Sequence, residues 1–286
     1  MSFKKKLINL IKLQYKKVGN TRSETHTYGD VQCLKDYRFN ELIYSSTDYN
    51  VVPLFYVDPN LIYNKRIFCF GRDAWHPFTA LLREYKANKS ISYEDSILKK
   101  FYDLYQPNNL GEAIFIDDNK LQLDLKQYSA QSLLLPWTLR PRIYKGEKNL
   151  GPEHGYHNQG PVSDIKGDLE FSRLIKVYSS IESRGFKIDM YKSFKDHIRG
   201  FFLRKGNEWR FVIISGHHRV AAMSELNYDQ IPVTFQPTFP RAINYKDLLE
   251  WPQVKNGNIN KITARKIFLQ YFEENGIKKA KNIGVI

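Results

Sequence analysis

Residues 211–223 read FVIISGHHRVAAM, and this run decides the fold. Phe211, Val212, Ile213 and Ile214 form an unbroken apolar stretch, the pattern of a strand covered on both faces. It stops at Ser215-Gly216-His217-His218-Arg219, residues that need water or a ligand. A short helix is expected from about His217 to Leu226, kept slender by Ala221 and Ala222 so that it packs against the sheet. A buried strand that ends in glycine and feeds straight into a helix presents backbone N–H groups and the positive end of the helix dipole at one point. That arrangement suits a phosphate. Gly216 lets an anion approach the backbone, Arg219 offers planar, bidentate hydrogen bonds, and His217 and His218 are further donors or proton-transfer groups. The plainer alternative is a helix start whose arginine bonds a neighbouring loop.

Working outward, IRGFFLRKG and WRFVIIS make a hairpin through Lys205-Gly206-Asn207-Glu208, and YDQIPVTF returns as another strand. Upstream, Leu169, Leu174, Val177, Tyr178 and Ile181 form the apolar stripe of a helix that ends at Gly185, followed by a short strand KID. Between 145 and 167, Gly146, Gly151, Gly155, Gly160 and Gly167 accompany His154 and His157 in a loop rich in turn chemistry. Loops of this kind tend to carry function. SLLLPWTLRPR is expected as a strand leading into a proline-punctuated turn that displays Arg140 and Arg142, and EAIFIDD and LQLDL as two short strands. Between Trp75 and Tyr105 the pattern predicts two helices separated by ANKS, the second with Ser92 or Asp95 near its start. NVVPLFYV and KRIFCFG suggest strands or irregular elements, and NKITARKIFLQYFEEN predicts an amphipathic helix with Ile262, Ile267, Phe268, Tyr271 and Phe272 inward.

The 286 residues are 42% hydrophobic and 14% aromatic, ample for a folded core. Cys33 and Cys69 lack C-x-x-C spacing and are too few for a disulfide framework, which favours a reducing cytoplasm. No apolar run approaches the length of a membrane span. The formal net charge of +14 favours an anionic partner: nucleic acid, nucleotides, phosphorylated intermediates or an acidic membrane face. Part of that charge sits in residues 3–18, where Phe3, Leu7, Ile11, Tyr15 and Val18 share helical spacing among lysines. Such a basic amphipathic helix either packs on its own domain or lies peripherally at an anionic membrane face.

The ordered series of helix, Gly185, strand, hairpin, SGHHRVAAMSELNYDQIPVTF resembles the ParB/sulfiredoxin-like superfamily, over roughly residues 130–236. The resemblance implies an α+β fold, a mixed sheet with flanking helices, preceded by a mixed helical and strand region. It divides the chain into 1–129, a nucleotide-binding domain at 130–240 and a helical extension at 241–286. Members of the superfamily hold nucleotide phosphates on a Gly-x-x-Arg turn. Carried over, this implies Ser215, Gly216, His217, His218 and Arg219 as the nucleotide contacts, with Arg140 or Arg142 as the basic residue near the family's first strand. His217 stands where a sulfiredoxin has its catalytic cysteine, so sulfinic-acid repair lacks its nucleophile. The partitioning proteins' helix-turn-helix reader has no counterpart after Phe235.

Phosphoryl transfer from ATP or another NTP needs Mg2+-shielded phosphates, cations, and a carboxylate or histidine for the acceptor. Glu153 in GPEHG is the first choice for acceptor base or magnesium contact, with Asp164 behind it and His217 as a further proton-transfer group. His154, His157 and Glu170 are expected near the substrate, although Glu170 also suits the helix dipole. Arg72 and Trp75 in GRDAWHPF are outlying substrate contacts, with core packing the alternative for Trp75. The expected function is a phosphotransferase or NTPase acting on a small molecule. A sugar or glycan precursor is one acceptor that the resemblance implies, through ParB-like chains that accompany surface-polysaccharide pathways. The alternatives are a nucleic-acid binder or nuclease, and a non-catalytic nucleotide switch.

Overall fold

The computed structural model describes residues 25–28, 51–116, 124–140, 142–147, 149–188, 196–236 and 239–286. The basic segment 3–18 and Cys33 lie outside these residues.

The strands are β1 Thr25–Tyr28, β2 Val51–Val57, β3 Ile62–Tyr63, β4 Arg199–Lys205, β5 Glu208–Ser215, β6 Ile231–Phe235 and β7 Ala242–Asn244. β4 and β5 form the expected antiparallel hairpin, with Phe202 opposite Phe211 and Phe201 opposite Val212. Side chains alternate between the two faces, so Phe202, Phe211 and Ile213 enter one core while Phe201, Leu203 and Val212 enter the other. This double covering is why the run reads as continuously apolar. The described strands order as β1-β2-β6-β4-β5-β3. β2 runs antiparallel to β6, β6 parallel to the start of β4, and β3 parallel to β5. β7 takes over beside Phe202–Arg204, where β6 has left β4. The fold is α+β, with an open mixed sheet and flanking helices.

The helices are α1 Pro77–Ala87, α2 Ile97–Leu104, α3 Leu110–Ala113, α4 Asp164–Arg184, α5 His217–Glu225, α6 Pro252–Lys255, α7 Lys261–Glu273 and α8 Ile277–Ile283. On one face Phe78 and Leu81 of α1, Leu98 and Phe101 of α2, Leu174 and Tyr178 of α4 and Val220 and Ala221 of α5 close over the sheet. On the other, Trp137, Trp251 and the α7 residues Ile267, Phe268 and Tyr271 do so. Capping fixes the helix starts. His76 Nδ1 accepts from the Phe78 N–H at 3.1 Å, Ser163 Oγ from Lys166 at 3.3 Å, and Asn260 Oδ1 from Ile262 and Thr263 at 2.9 Å each. Among the described residues no helix is long and apolar enough to cross a membrane.

Several expected elements differ. Among its described residues SLLLPWTLRPR forms no strand beyond a single bridge between Ser132 and Ile143. Buried Arg66 binds the carbonyls of Ala130 and Ser132, and Pro136 has no N–H to give. The described part of EAIFIDD, residues 112–116, does not form a strand, because Asn109 caps α3 by accepting from the Glu112 N–H at 3.1 Å and Glu112 returns a bond to the Asn108 N–H at 2.8 Å. Residues 117–123, including most of LQLDL, lie outside the description, and Asp124 and Leu125 are helical. Lys187 and Ile188 of KID are not in a strand. α2 is capped by Ser96, since Ser92 and Asp95 are occupied by their own 2.6 Å hydrogen bond. Ile262 is exposed rather than packed inward.

Candidate functional site

β5 ends at Ser215, Gly216 turns the chain at φ 101° and ψ 21°, and α5 begins at His217. That left-handed conformation favours glycine, and a Cβ here would also stand 3.0 Å from Ile198 Cγ1. The first intrahelical bond runs from the Val220 N–H to the Gly216 carbonyl at 3.1 Å. The N–H groups of His217 and His218 therefore precede any helical acceptor. They open on a cleft of about 430 Å³ lined by Ser215, Gly216, His217, His218, Arg219, His157 and Glu170, together with Phe78, Tyr144, Glu147 and Arg173.

Glu170 sits on α4 with only 2% of its surface exposed. Its Oε1 is 2.7 Å from Lys166 Nζ, one helical turn earlier, and 3.4 Å from Arg173, one turn later. Lys166 also pairs with Glu147, and Arg173 reaches Glu147 at 2.6 Å. The four side chains close a charge-balanced network. The other oxygen of Glu170 lies 2.8 Å from His218 Nε2. Burial alone would raise the Glu170 carboxyl. The hydrogen bond from His218 and the nearby His157 and Lys166 outweigh it and hold the group well below the usual carboxylate range. An ionised Glu170 accepts, so the neutral form of His218 that fits this bond carries its proton on Nε2 and its lone pair on Nδ1. The His218 ring is further fixed by stacking on Phe78, 4.9 Å between centroids. His218 is thereby a histidine oriented by a buried carboxylate, the arrangement of a general base.

His217 has a different environment. Its ring meets His157 at 5.2 Å and Phe70 at 6.3 Å, and Phe70 in turn stacks on buried His76 at 3.8 Å. Burial pushes the imidazoles of His76 and His217 down, helped in both by His157 and His218 and in His217 by His76 as well. His157 is lowered to about 4, first by burial and against the opposing pull of Glu170. These rings are neutral at pH 7, and among the described residues no carboxylate ion-pairs with His217.

No protein-family model matches the chain, and no curated protein sequence matches it.

The cleft thus gathers His157, Glu170 and the whole Ser215–Arg219 turn. Arg140 and Arg142 line a neighbouring cavity of about 370 Å³, with Ile214 forming a wall of both. Glu153 is on an exposed turn outside the cleft, beside His154 at 3.8 Å. His154 Nδ1 is 2.8 Å from Ser163 Oγ, next to the start of α4. Asp164 is exposed at the first position of α4. Arg72 pairs with Asp229 at 3.2 Å on the surface, and Trp75 is packed in the core against Phe68 and Phe101. Arg219 lines the cleft while donating to the carbonyls of Asp196 and His197, which ties the segment before β4 to α5. Sequence reasoning missed Glu147, Lys166 and Arg173. The signal was present for two of them, since Lys166, Glu170 and Arg173 fall on one helical face at i, i+4 and i+7.

The cleft carboxylates Glu147 and Glu170 are both engaged by cations, and Glu153 lies outside it. These residues do not offer a dedicated magnesium site, and among the described residues no group of three or more His, Cys, Asp or Glu could hold a metal ion.

Proposed function

We propose that this chain is a nucleotide-dependent phosphotransferase or NTPase of ParB/sulfiredoxin-like fold. It uses ATP or another nucleoside triphosphate on a small-molecule acceptor, such as a sugar or glycan precursor. The observation that carries this reading is the 2.8 Å pair between His218 and Glu170 at the same helix N-terminus as the Gly216 turn. One point in space offers N–H groups suited to phosphate oxygens and a base suited to a hydroxyl. His218 Nδ1 takes the proton of an acceptor hydroxyl or of water, the freed oxygen attacks the γ-phosphorus, and the bond to the β–γ bridging oxygen breaks. Glu170 is the positioning residue that keeps the imidazole in the required tautomer. Magnesium accompanying the nucleotide would shield phosphate charge, and no residue is assigned to it. A setting at the cytoplasmic membrane face, through residues 3–18, belongs to the same proposal.

The test is binding and turnover of ATP, CTP, GTP and UTP with magnesium by the full chain and by His218→Gln. Saturable binding is expected in both, with turnover in the variant reduced by about 10²–10⁴-fold. Absence of binding by every nucleotide, with salt-steep binding of nucleic acid instead, would overturn the reading and assign the cleft to polynucleotide phosphates.

A further inference from the structure

The cavity beside the cleft has an unbalanced charge. Lys65, Arg140 and Arg142 line it with Trp137, Thr138, Phe239 and other residues, and none of its lining residues is an Asp or Glu. Lys65 is nine-tenths buried, with 9% of its surface exposed. Among the described residues no hydrogen bond or ion pair reaches its ammonium, and none engages the guanidinium of Arg140 or Arg142. The contrast with the cleft is direct, since the buried Lys166 there sits between Glu147 and Glu170. A buried ammonium beside other cations is expensive unless an anion joins it.

We infer that Lys65, Arg140 and Arg142 form a second anion-binding pocket, which receives the phosphate of a phosphomonoester substrate while the Gly216 turn holds the nucleotide. Three cations without a lining carboxylate favour a dianion over a monocarboxylate, and the paired donors of Arg140 and Arg142 suit phosphate oxygens. Ile214 walls both cavities, so a molecule anchored here extends past the end of β5 toward His218. Trp137, Leu139 and Phe239 give its carbon skeleton an apolar surface. The Lys65 amine is pushed down to about 8, by burial first and then by Arg66 and Arg142. The charged ammonium therefore costs the ligand-free fold stability at neutral pH, and a bound dianion removes that cost.

The assignment of the phosphomonoester as acceptor rests on the phosphotransferase reading, whereas the pocket does not. The experiment is calorimetric titration of the full chain with inorganic phosphate, with glycerol 3-phosphate and with glycerol, each with and without a saturating non-hydrolysable nucleotide. Phosphate and glycerol 3-phosphate are expected to bind saturably in both conditions, and glycerol not to bind. Arg142→Gln, at an exposed position, should weaken both by about 10-fold or more, the loss of one charge-assisted pair, and leave nucleotide affinity unchanged. Lys65→Met should abolish the phosphate-induced rise in melting temperature while melting higher than the native chain without phosphate. Phosphate binding indifferent to Arg142→Gln, or phosphate displaced by nucleotide with both weakened together, would overturn the second pocket. Phosphate binding that survives in a chain that binds no nucleotide would remove the phosphotransferase reading and leave the pocket standing.

Discussion

Glu170 is almost fully buried yet ionises more readily than an exposed glutamate, and the neighbours that produce this inversion make it testable. Its folded pKa lies below its unfolded one, so its contribution to stability is full above the ordinary carboxylate range and is lost progressively as pH falls from there through the depressed folded value. Glu170→Gln leaves Lys166 and Arg173 with Glu147 alone and should cost about 3–5 kcal/mol, the usual penalty for breaking one partner out of a buried pair. Under the proposed phosphotransferase reading, the same variant should lower kcat more than KM and shift the pH profile, because His218 loses its fixed tautomer; a role confined to stability would leave the profile of the surviving folded fraction unchanged. His157 has the same sign on the acid side. Its pKa near 4 lies below the ordinary histidine value, so between about pH 6.5 and 4 the unfolded chain binds a proton that the folded chain refuses. Stability should therefore fall with pH across that window by on the order of 1.4 kcal/mol per unit for each such histidine. Urea midpoints of the native chain and His157→Gln at several pH values check this, with a shallower slope expected for the variant.

At the scale of elements, the β5–Gly216–α5 unit was legible because local and tertiary demands agree there. An apolar run covered on two faces, a glycine at φ 101° and a helix with Ala221 and Ala222 against the sheet all favour the same geometry. Gly216→Ala tests the unit. It places a Cβ in a left-handed conformation 3.0 Å from Ile198 Cγ1 and should cost about 1–2 kcal/mol in chemical denaturation and, under the proposed function, weaken nucleotide binding. α4 starts earlier than the apolar stripe from Leu169 indicates, at a local cap on Ser163, and Ser163→Ala should lose about 1 kcal/mol. SLLLPWTLRPR misled because its apolar run is that of a strand while its carbonyls go to separate partners, Ser132 to Arg66 and Pro136 and Thr138 to Gln253. Arg66 collects Ala130 and Ser132 and also Gln159 Oε1 at 2.6 Å, a long-range demand with no local signature. The candidate site divides similarly. The Ser215–Arg219 turn is contiguous and could be read, whereas the pairing of His218 with Glu170 spans 48 residues and depends on how α4 crosses α5. Lys65 joins Arg140 and Arg142 only through the sheet edge, so its charge looked like an ordinary part of the +14.

At the scale of the whole molecule, the sheet draws its cover from every part of the chain. β2 and α1 come from before residue 90, and β7 and α7 from after residue 240. Phe201, Leu203 and Val212 are sealed by Trp251, Ile267, Phe268 and Tyr271, while Phe202, Phe211 and Ile213 are sealed with Leu54, Phe78 and Phe101. The segment 130–240, although it holds the Ser215–Arg219 turn and covers its strands in part with α4, α5 and Trp137, thus owns only part of what makes them dry. Produced alone, it would expose apolar surface on both faces of the β4–β5 hairpin and leave β6 without β2 on its outer edge. Such a fragment is expected to bind hydrophobic dyes, to show weak near-ultraviolet circular dichroism and rapid amide exchange in 199–215, and to bind no nucleotide. In the full chain those same amides should be among the slowest to exchange, because opening them requires both cores to open together. A fragment with a cooperative melt and slow exchange in 199–215 would show instead that the hairpin, α4 and α5 form a self-sufficient unit, with the rest of the chain added upon it.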